Sequence, residues 1–319
     1  MSLFLREEDV KQLLSMPMAL EAVESAHRAL SSGLACDVPR QRTRLPQTTL
    51  HILQGALPQF DVIGYKAYTS NRSGVRFLVH VYRASSGTLL AVIEADLLGM
   101  MRTGAASGVA TRWLARPDSQ VAGVFGAGWQ AEGHIEALAT VCPLLRVKVY
   151  ARGAERLAAF CKKMSERIAL EVIPATSPED VVRGSDIVST VTTSATPLFA
   201  AEWLSPGTHI NAAGSNSLIR RELGEDVLKR CSPIVVDSVE TALHESGDLL
   251  PLLEKGRLHA RQLIELGDVI CGRQPGRSTA EEITLFESQG MAVQDLALAA
   301  RLETLARERG LGVELPYGG

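Results

Sequence analysis

A glycine-rich turn between an apolar strand and a helix is the segment of the chain best suited to chemistry. It reads Val121-Ala122-Gly123-Val124-Phe125-Gly126-Ala127-Gly128-Trp129-Gln130-Ala131. Gly126 allows the tight turn, Gly128 leaves room for a pyrophosphate to approach the backbone, and Ala131 lets the helix pack close to the strand. A GxGxxA match alone is weak. The apolar strand before it, the helix after it and a second strand at the right distance together predict a dinucleotide site.

The residues after the second strand indicate which dinucleotide binds. An acidic residue there would hydrogen-bond the adenosine ribose and disfavour a 2′-phosphate. This chain instead has Ala151-Arg152-Gly153, with Arg156 one turn later, and guanidinium groups suit a phosphate. We therefore expect NADP(H) to be favoured, with NAD(H) as the alternative cofactor. The competing interpretation is that both arginines are solvated charges at a helix start.

The elements around this turn alternate between strands and helices. Strands are predicted at VAGVF, VKVYA, EVI, DIVSTV, THINAA and IVVD, with helices at 129–140, 154–168 and 178–184. Such alternation predicts an α/β fold with a parallel sheet covered on both faces.

The end of the chain, from Ala280 to Gly310, is predicted to be helical because AVQDLALAARLETLARERG repeats every 3.6 residues. Glu281, Glu282 and Asp295 are interpreted as helix-start carboxylates, and the arginine-rich tail 301–309 as a solvated helical face. This closing helix is expected to pack on the first domain.

The first 95 residues are predicted to mix helix and antiparallel strands. Apolar residues at three- and four-residue spacing predict one amphipathic helix over 7–33. The stretch RFLVHVYRASSGTLLAVI is typical of a hairpin, with Ser85-Ser86-Gly87 at its turn. A helix rich in small residues, LLGMMRTGAASGVATRWLA, then ends before Arg116.

Composition excludes several classes of protein. The chain has 319 residues, 46% apolar and 22% charged, with a formal net charge of −3. This is globular composition with room for two domains, and it predicts no general affinity for nucleic acid or acidic lipid. The N-terminus lacks a signal-like apolar region, so we expect a soluble cytoplasmic protein. Five scattered cysteines and seven histidines lack the spacing of a metal site or a disulfide framework.

Several separated motifs occur in an order that resembles the ornithine cyclodeaminase/mu-crystallin family. They are Gly64-Tyr65-Lys66, Met101-Arg102-Thr103-Gly104-Ala105-Ala106, His209-Ile210-Asn211-Ala212-Ala213-Gly214, Pro275-Gly276-Arg277 leading into 281–286, and Val293-Gln294-Asp295-Leu296. The likeness runs nearly end to end. It implies a Rossmann-type doubly wound domain, residues 116–291, inserted into a smaller α+β substrate-binding and dimerisation domain, residues 1–115 completed by 292–319.

The resemblance also implies an activity. Members of the family perform nicotinamide chemistry on a small amino or imino acid: cyclisation of ornithine to proline plus ammonia, oxidative deamination of alanine, or reduction of cyclic ketimines such as pyrroline-2-carboxylate. It further implies a homodimer formed through the first domain's sheet, and a site between the domains in which arginines hold the substrate carboxylate beside a lysine.

Carried over residue by residue, the family's substrate-binding groups match Lys66, Arg102 and one arginine among Arg40, Arg42 and Arg44, of which we prefer Arg42. Arg102 is expected at a helix start, where the helix dipole also favours anions; a surface ion pair is the alternative. Lys66 is also the catalytic candidate, since burial in a dry cleft would lower its pKa and make it a usable proton donor. Otherwise Lys66 is an outward-facing strand residue.

The family's cofactor contacts match residues in four segments. They are Thr103, Gly126, Gly128, Trp129, Gln130, Arg152, Thr192, Asn211, Ala212 and Ala213. Thr192 has a second interpretation, because it lies in a loop rich in Ser and Thr, where hydroxyls often bond their own backbone.

The chain departs from the cyclodeaminases at Asn216. Those enzymes have an aspartate after this strand, proposed to bind or activate the amine or water, and Asn216, the second catalytic candidate beside Lys66, stands at its position. Asparagine orients a substrate but accepts no proton. Reduction of a preformed imine needs only a hydride and an acid. This departure and Arg152 therefore both favour an NADPH-dependent reductase of cyclic imino acids.

Three alternatives stay open. An ornithine cyclodeaminase would release ammonia and proline from ornithine, and an alanine-type dehydrogenase would reduce pyruvate in the presence of ammonia. A ligand-binding protein would hold NADPH and a small molecule without turnover.

Overall fold

The structure, a computed structural model, describes residues 1–72, 74–214 and 216–317. It consists of two compact units: unit 1 is Met1–Arg102 with Met291–Gly319, and unit 2 is Thr103–Gly290. The sequence-based division has its boundaries at residues 115 and 291, whereas the structural division passes through a helix.

The elements up to that helix are, in chain order, β1 Ser2–Leu5, α1 Glu7–Leu13, α2 Met16–Ser31, β2 Cys36–Arg44, β3 Thr49–Leu57, a 3₁₀ turn Pro58–Phe60, β4 Val62–Asn71, β5 Gly74–Arg83, β6 Leu89–Glu94 and α3 Asp96–Leu114. The single helix predicted over 7–33 is therefore two helices. Pro17 lies in the first turn of the second, and proline at that position starts a helix rather than continuing one.

Unit 2 continues with β7 Val121–Phe125, α4 Trp129–Val141, β8 Arg146–Tyr150, α5 Ala154–Ile168, β9 Glu171–Pro174, α6 Pro178–Val182, β10 Ile187–Thr190, a 3₁₀ turn Ala201–Trp203, β11 His209–Ala212, α7 Glu225–Arg230, β12 Cys231–Val236, α8 Val239–Glu245, α9 Leu250–Glu254, a 3₁₀ turn Ala260–Gln262, β13 Leu263–Glu265, α10 Leu266–Ile270 and β14 Ile283–Glu287. The chain returns to unit 1 with α11 Ala292–Arg309 and β15 Val313–Leu315.

The sheet of unit 1 has the strand order β15-β1-β6-β5-β4-β3-β2. Its strands pair antiparallel except for β1 beside β6. The predicted hairpin is confirmed as β5 and β6, and the closing helix α11 contacts β3, β4 and α2 within this unit.

Two paired glycines let α11 approach this sheet. Gly55 of β3 lies opposite Gly64 of β4. A Cβ on Gly64 would lie 2.1 Å from the His80 carbonyl oxygen and 2.9 Å from Leu296 of α11, and one on Gly55 would lie 3.1 Å from Val293. Glycine is therefore required here because the helix packs directly on the strand backbone.

The sheet of unit 2 is parallel throughout, with the order β13-β12-β14-β11-β10-β7-β8-β9. Buried apolar clusters cover both faces, so the doubly wound Rossmann-type fold is confirmed. From β7 the chain builds outward through β8 and β9, then returns to place β10 on the other side of β7. Ligands of such sheets bind at this switch point, beyond the strands' carboxyl ends.

The helix predicted over 280–310 is wrong in its first part. Residues Ile283–Glu287 form β14, which lies between β11 and β12 and is buried on both faces. A doubly buried strand is a short apolar run without alternation, and periodicity cannot distinguish such a run from a buried helix. Only Ala292–Arg309 is helical.

The second half of α3 is held within unit 2. The Thr111 hydroxyl accepts a hydrogen bond from Asn211 Nδ2, and the Leu114 carbonyl accepts from Arg277 and Thr284. None of the helices within the described ranges is long and apolar enough to span a bilayer.

Candidate active site

Lys66 is buried on the face of the unit 1 sheet that α11 covers. Its cross-strand neighbours in the same row are Leu53, Val79 and, beyond them, Ile93. These three are at most 1% exposed, and Lys66 is 2% exposed. Lys66 is thus the charged member of an apolar row, and its interpretation as an outward-facing strand residue is wrong.

A buried carboxylate joins Lys66 to Arg102. Asp295 Oδ2 lies 2.7 Å from Lys66 Nζ, and Asp295 Oδ1 accepts a 3.1 Å hydrogen bond from Arg102 Nε. Asp295 lies in the first turn of α11, so it is a helix-start carboxylate as interpreted, but it is fully buried. The sequence carried a signal for the burial of Asp295. Ala292 and Ala299, three residues before and four after it, are apolar and lie on the same face of α11, and both are buried.

Arg102 is also held by Gln294. Its Nη1 donates to Gln294 Oε1 at 3.0 Å, and Gln294 Nε2 lies 3.1 Å from His27 Nε2. Burial lowers the pKa of His27 to about 4, so the imidazole is neutral and accepts the proton of Gln294 Nε2. That bond keeps the Gln294 oxygen turned towards the guanidinium.

The expectation that Arg102 lies at a helix start is wrong. Helix α3 begins at Asp96, so Arg102 lies beyond the first turn, where the dipole's influence is concentrated. The surface ion pair is also excluded, because Arg102 is 7% exposed. Arg102 is oriented by side chains of α11.

The pKa of Lys66 is lowered to about 7. Burial is the largest cause, the positive charge of Arg102 follows, and Arg40 adds to it; Asp295 acts in the opposite direction. Such a lysine exchanges a proton near neutral pH, as expected for one in a dry environment.

Of the three arginines in β2, Arg40 is the buried one. It is 8% exposed and lies where the β2–β3 register shifts, between Val38 and Gln41, a bulge that re-aims a side chain. Arg42, opposite His51, is half-buried, and Arg44 is exposed. Because Arg40 lowers the pKa of Lys66, it joins the charged cluster. The choice of Arg42 stays a prediction.

Aromatic rings continue the same face of the sheet beside Lys66. His51 stacks on Tyr68 with ring centroids 4.3 Å apart, and Tyr68 contacts Phe77 at 4.7 Å. Lys66 Nζ lies 5.7 Å from the Phe77 centroid. The cations therefore adjoin an apolar surface suited to a small carbon ring.

The glycine-rich turn of unit 2 borders a cavity of about 820 Å³. The loops after β7, β8 and β10 line it, with Phe125–Gly128, Tyr150–Arg152, Arg156 and Val191–Thr196 among the lining residues. Gly126 has φ +116°, and its Cβ would lie 2.8 Å from the Val191 carbonyl oxygen. A Cβ on Gly128 would meet nothing within 4 Å. This is the open cradle that a pyrophosphate requires.

The other predicted cofactor residues of unit 2 fall at or near this cavity. Arg152 lines it, and Trp129 and Gln130 begin α4 directly after Gly128. Gln130 Oε1 is buried and has no hydrogen-bond partner among the residues described. Thr103, by contrast, lies in α3.

Thr192 is bound to a buried glutamate that the sequence analysis missed. Its backbone N and hydroxyl donate to Glu222 Oε1 at 2.7 and 2.6 Å, and Gly214 N donates to Oε2 at 3.0 Å. Burial raises the pKa of Glu222 to about 7, against these hydrogen bonds. Glu222 thereby ties the loop after β10 to the loop after β11.

The Asn211 side chain is occupied by bonds within the protein rather than directed to a ligand. The Asn211 side chain is fully buried, donates to Thr111 and contacts His209 Nε2 at 3.1 Å through Oδ1. Ala212 ends β11, and Ala213 N donates to the Thr190 carbonyl. Asn216 is exposed in the following loop. In the described part of the chain, no three His, Cys, Asp or Glu residues are grouped to hold a metal ion.

Comparison with known proteins assigns the chain to a family. The model of the ornithine cyclodeaminase/mu-crystallin family matches residues 1–309. The chain belongs to this family. The Delta(1)-pyrroline-2-carboxylate reductase of Bacillus cereus is 34% identical over 279 residues, 85% of this chain and 86% of the relative.

Two solved structures share the fold over nearly their whole length. Thermococcus litoralis Delta(1)-pyrroline-2-carboxylate reductase in complex with NADH and L-proline is 31% identical, with a TM-score of 0.94 over 98% of this chain and 100% of that one. An archaeal alanine dehydrogenase dimer with bound NAD is 32% identical, with a TM-score of 0.93 over 99% of each chain.

Proposed function

We propose that this family member is an NADPH-dependent reductase of cyclic imino acids, with pyrroline-2-carboxylate or its six-membered homologue as substrate. The observation that carries the proposal is the buried Lys66–Asp295–Arg102 cluster of unit 1. It combines a guanidinium for a carboxylate with an acid whose pKa of about 7 suits proton transfer to a nitrogen. Similarity to pyrroline-2-carboxylate reductases supports it.

Arg102 binds the substrate carboxylate in this proposal. Its Nε and Nη1 are engaged by Asp295 and Gln294, which leaves Nη2 to donate to the substrate. Arg42, with Arg40 as the buried alternative, supplies the second cation. The apolar surface of Tyr68 and Phe77 accommodates the methylene groups of the ring.

Lys66 gives its proton to the imine nitrogen as the C=N double bond becomes a C–N single bond. The lysine becomes a neutral amine and regains a proton from solvent. A reduced nicotinamide, when bound, supplies the hydride that the imine carbon accepts, so the substrate gains two electrons and is reduced to the amine.

The residues of the unit 2 cavity fit such a cofactor, because Gly126 makes the tight turn, Gly128 leaves the space beside its backbone open, and the buried Gln130 Oε1 lacks a protein partner among the described residues. The pyrophosphate would lie on Gly126–Gly128 at the start of α4. Arg152 and Arg156 line the same cavity and would hold a 2′-phosphate, which favours NADP(H), although similar structures contain NADH or NAD.

Asn216 favours imine reduction over cyclodeamination. A cyclodeaminase must remove a proton from an amine or a water, and an amide is no base. Reduction of a preformed imine requires no such base.

We also propose a homodimer formed by the face of the unit 1 sheet opposite Lys66. Ile63 is 47% exposed there, beside a shallow cavity of about 440 Å³ lined by Tyr65, Tyr82 and Val38. The archaeal alanine dehydrogenase of similar structure is a dimer. Ile63→Arg should convert the dimer to monomer in light scattering. We expect the protein to act in the cytoplasm, where NADPH is available.

The deciding experiment follows NADPH absorbance with the purified protein and each candidate substrate. Pyrroline-2-carboxylate and its six-membered homologue should consume NADPH. Pyruvate with ammonia tests the alanine-type dehydrogenase, and ornithine with NAD, assayed for ammonia and proline, tests the cyclodeaminase. Lys66→Met should abolish turnover, whereas Lys11→Met, at an exposed position of α1, should not. No NADPH consumption with either cyclic imino acid at saturating cofactor would refute the reductase.

A further inference from the structure

Unit 1 buries more positive than negative charge around Lys66. Lys66, Arg102 and Arg40 are each at most 8% exposed, and Asp295 is fully buried. Each Asp295 oxygen contacts a different cation, Oδ2 Lys66 and Oδ1 Arg102. A single carboxylate thus bridges the two groups that the proposed function places on the substrate.

Asp295 has a short side chain, so the backbone of α11 determines where its carboxylate lies. It lies in the first turn of α11, where the helix dipole favours a negative charge. The preceding residues of α11 pack against the glycine pair of β3 and β4, with Val293 3.1 Å from the position of a Cβ on Gly55. The carboxylate is therefore held at a fixed depth above Lys66.

Stability alone is a weak reason for such a bridge. Removing charges from water costs free energy, and buried ion pairs seldom stabilise more than apolar residues of similar volume would. The bridge does, however, fix the separation of two cations that otherwise repel each other. It leaves two Nζ hydrogens of Lys66 and Nη2 of Arg102 for another ligand.

We infer that Asp295 is a positioning residue of the reductase: it keeps Lys66 protonated and sets the spacing between Lys66 and Arg102 at which one imino acid presents its nitrogen and its carboxylate. The inference rests on the proposed function. Gln294 completes the arrangement as a neutral partner of Arg102 whose orientation His27 maintains.

The charges around Lys66 determine in which direction the loss of the Asp295 charge would shift the pKa of the lysine. Asp295 of α11 favours the charged lysine, whereas burial, Arg102 of α3 and Arg40 of β2 disfavour it. Other titratable groups near this face are His27 of α2, neutral at a pKa of about 4, and further along it Arg42 of β2, His51 of β3 and Tyr68 of β4, which stacks on His51. Among the charges that shift the pKa of Lys66, Asp295 is the one that favours the cation, so without it the remaining ones, Arg102 and Arg40, act against the charged lysine.

The test is Asp295→Asn, which keeps the shape and removes the charge. The upper limb of the kcat/KM profile against pH should move at least one unit lower, so that the loss of activity in the variant is about five to ten times greater at pH 8 than at pH 6. Asp118→Asn, at an exposed position, should leave the profile unchanged. NADPH binding should be unchanged in both. A folded Asp295→Asn that binds NADPH and whose upper limb stays in place would overturn the inference.

Two further measurements cover the remaining outcomes. If Asp295→Asn does not fold, Asp295→Glu carries the test: it keeps the charge but lengthens the stem, so KM for the imino acid should rise at least about tenfold while the pH limb stays in place. An unchanged KM would contradict the positioning role. If no imino acid is reduced, the proposed function fails, and NMR titration of Lys66 in the native and variant proteins still tests whether Asp295 maintains its charge.

Discussion

Gly55 and Gly64 face each other across β3 and β4, directly beneath the first turns of α11. Through this pair, backbone geometry controls where Asp295 meets Lys66.

Gly64→Ala should destabilise the protein by about 1 to 3 kcal/mol, because the methyl group would overlap the His80 carbonyl oxygen and Leu296. Urea denaturation measures the change. Gly99→Ala is the matched control, since the same methyl group in α3 would meet nothing within 4 Å and favours the helix. Equal stabilities for the two variants would show that α11 does not depend on this approach.

The reductase activity of the native protein should fall as the pH rises above about 7. In the proposed mechanism the proton donor is the charged form of Lys66, whose pKa is lowered to about 7, so raising the pH removes the acid. Lys66→Arg should retain some substrate binding but lose the proton donor, because the pKa of a guanidinium is far higher. A rate that stays constant from pH 6 to 9 would exclude Lys66 as the acid.

Arg40→Lys and Arg42→Lys should separate the two candidate carboxylate ligands of β2. Replacing the arginine that binds the substrate carboxylate should raise KM for the imino acid about tenfold or more, since lysine cannot reproduce bidentate binding. Arg44→Lys is the control, as Arg44 is exposed. Steady-state kinetics at saturating NADPH measures the effect. Wild-type KM in both variants would leave Arg102 as the carboxylate ligand.

Arg152→Ser combined with Arg156→Ser should raise KM for NADPH about tenfold or more and leave KM for NADH nearly unchanged, because only the 2′-phosphate loses its partners. Arg146→Ser, a half-exposed arginine of β8, should change neither. Similar losses with both cofactors would show that the two arginines do not read the 2′-phosphate.

His27 should make the protein less stable in acid. Burial lowers the pKa of His27 from 6.5 to about 4. Between these two pH values the His27 imidazole is protonated in the unfolded chain but neutral in the folded protein. The contribution of neutral His27 to the free energy of unfolding is complete above pH 6.5 and falls by up to about 1.4 kcal/mol per pH unit towards pH 4. His27→Gln should flatten that dependence in urea denaturation, whereas His244→Gln, an exposed change, should not. Parallel curves for the native protein and His27→Gln would contradict the buried neutral histidine.

Local sequence patterns were sufficient to predict much of the fold. The Gly126–Gly128 turn and the alternation around it predicted the parallel sheet, because each signal lies within one strand-turn-helix segment. Lys66 and Arg102 were found through family motifs, again from short stretches. The same local reasoning misassigned Ile283–Glu287, since a strand buried on both faces has no period of its own.

The charged cluster required contacts between distant parts of the chain. Asp295 is separated from Arg102 by 193 residues, and in its own helix it resembles any polar residue near a helix start. Glu222 and Arg40 acquired their roles from a loop-to-loop bond and a strand bulge. Sequence patterns report which residue types recur along one element, but the ionisation and orientation of a buried charge depend on what other elements bring against it, and that is a property of packing.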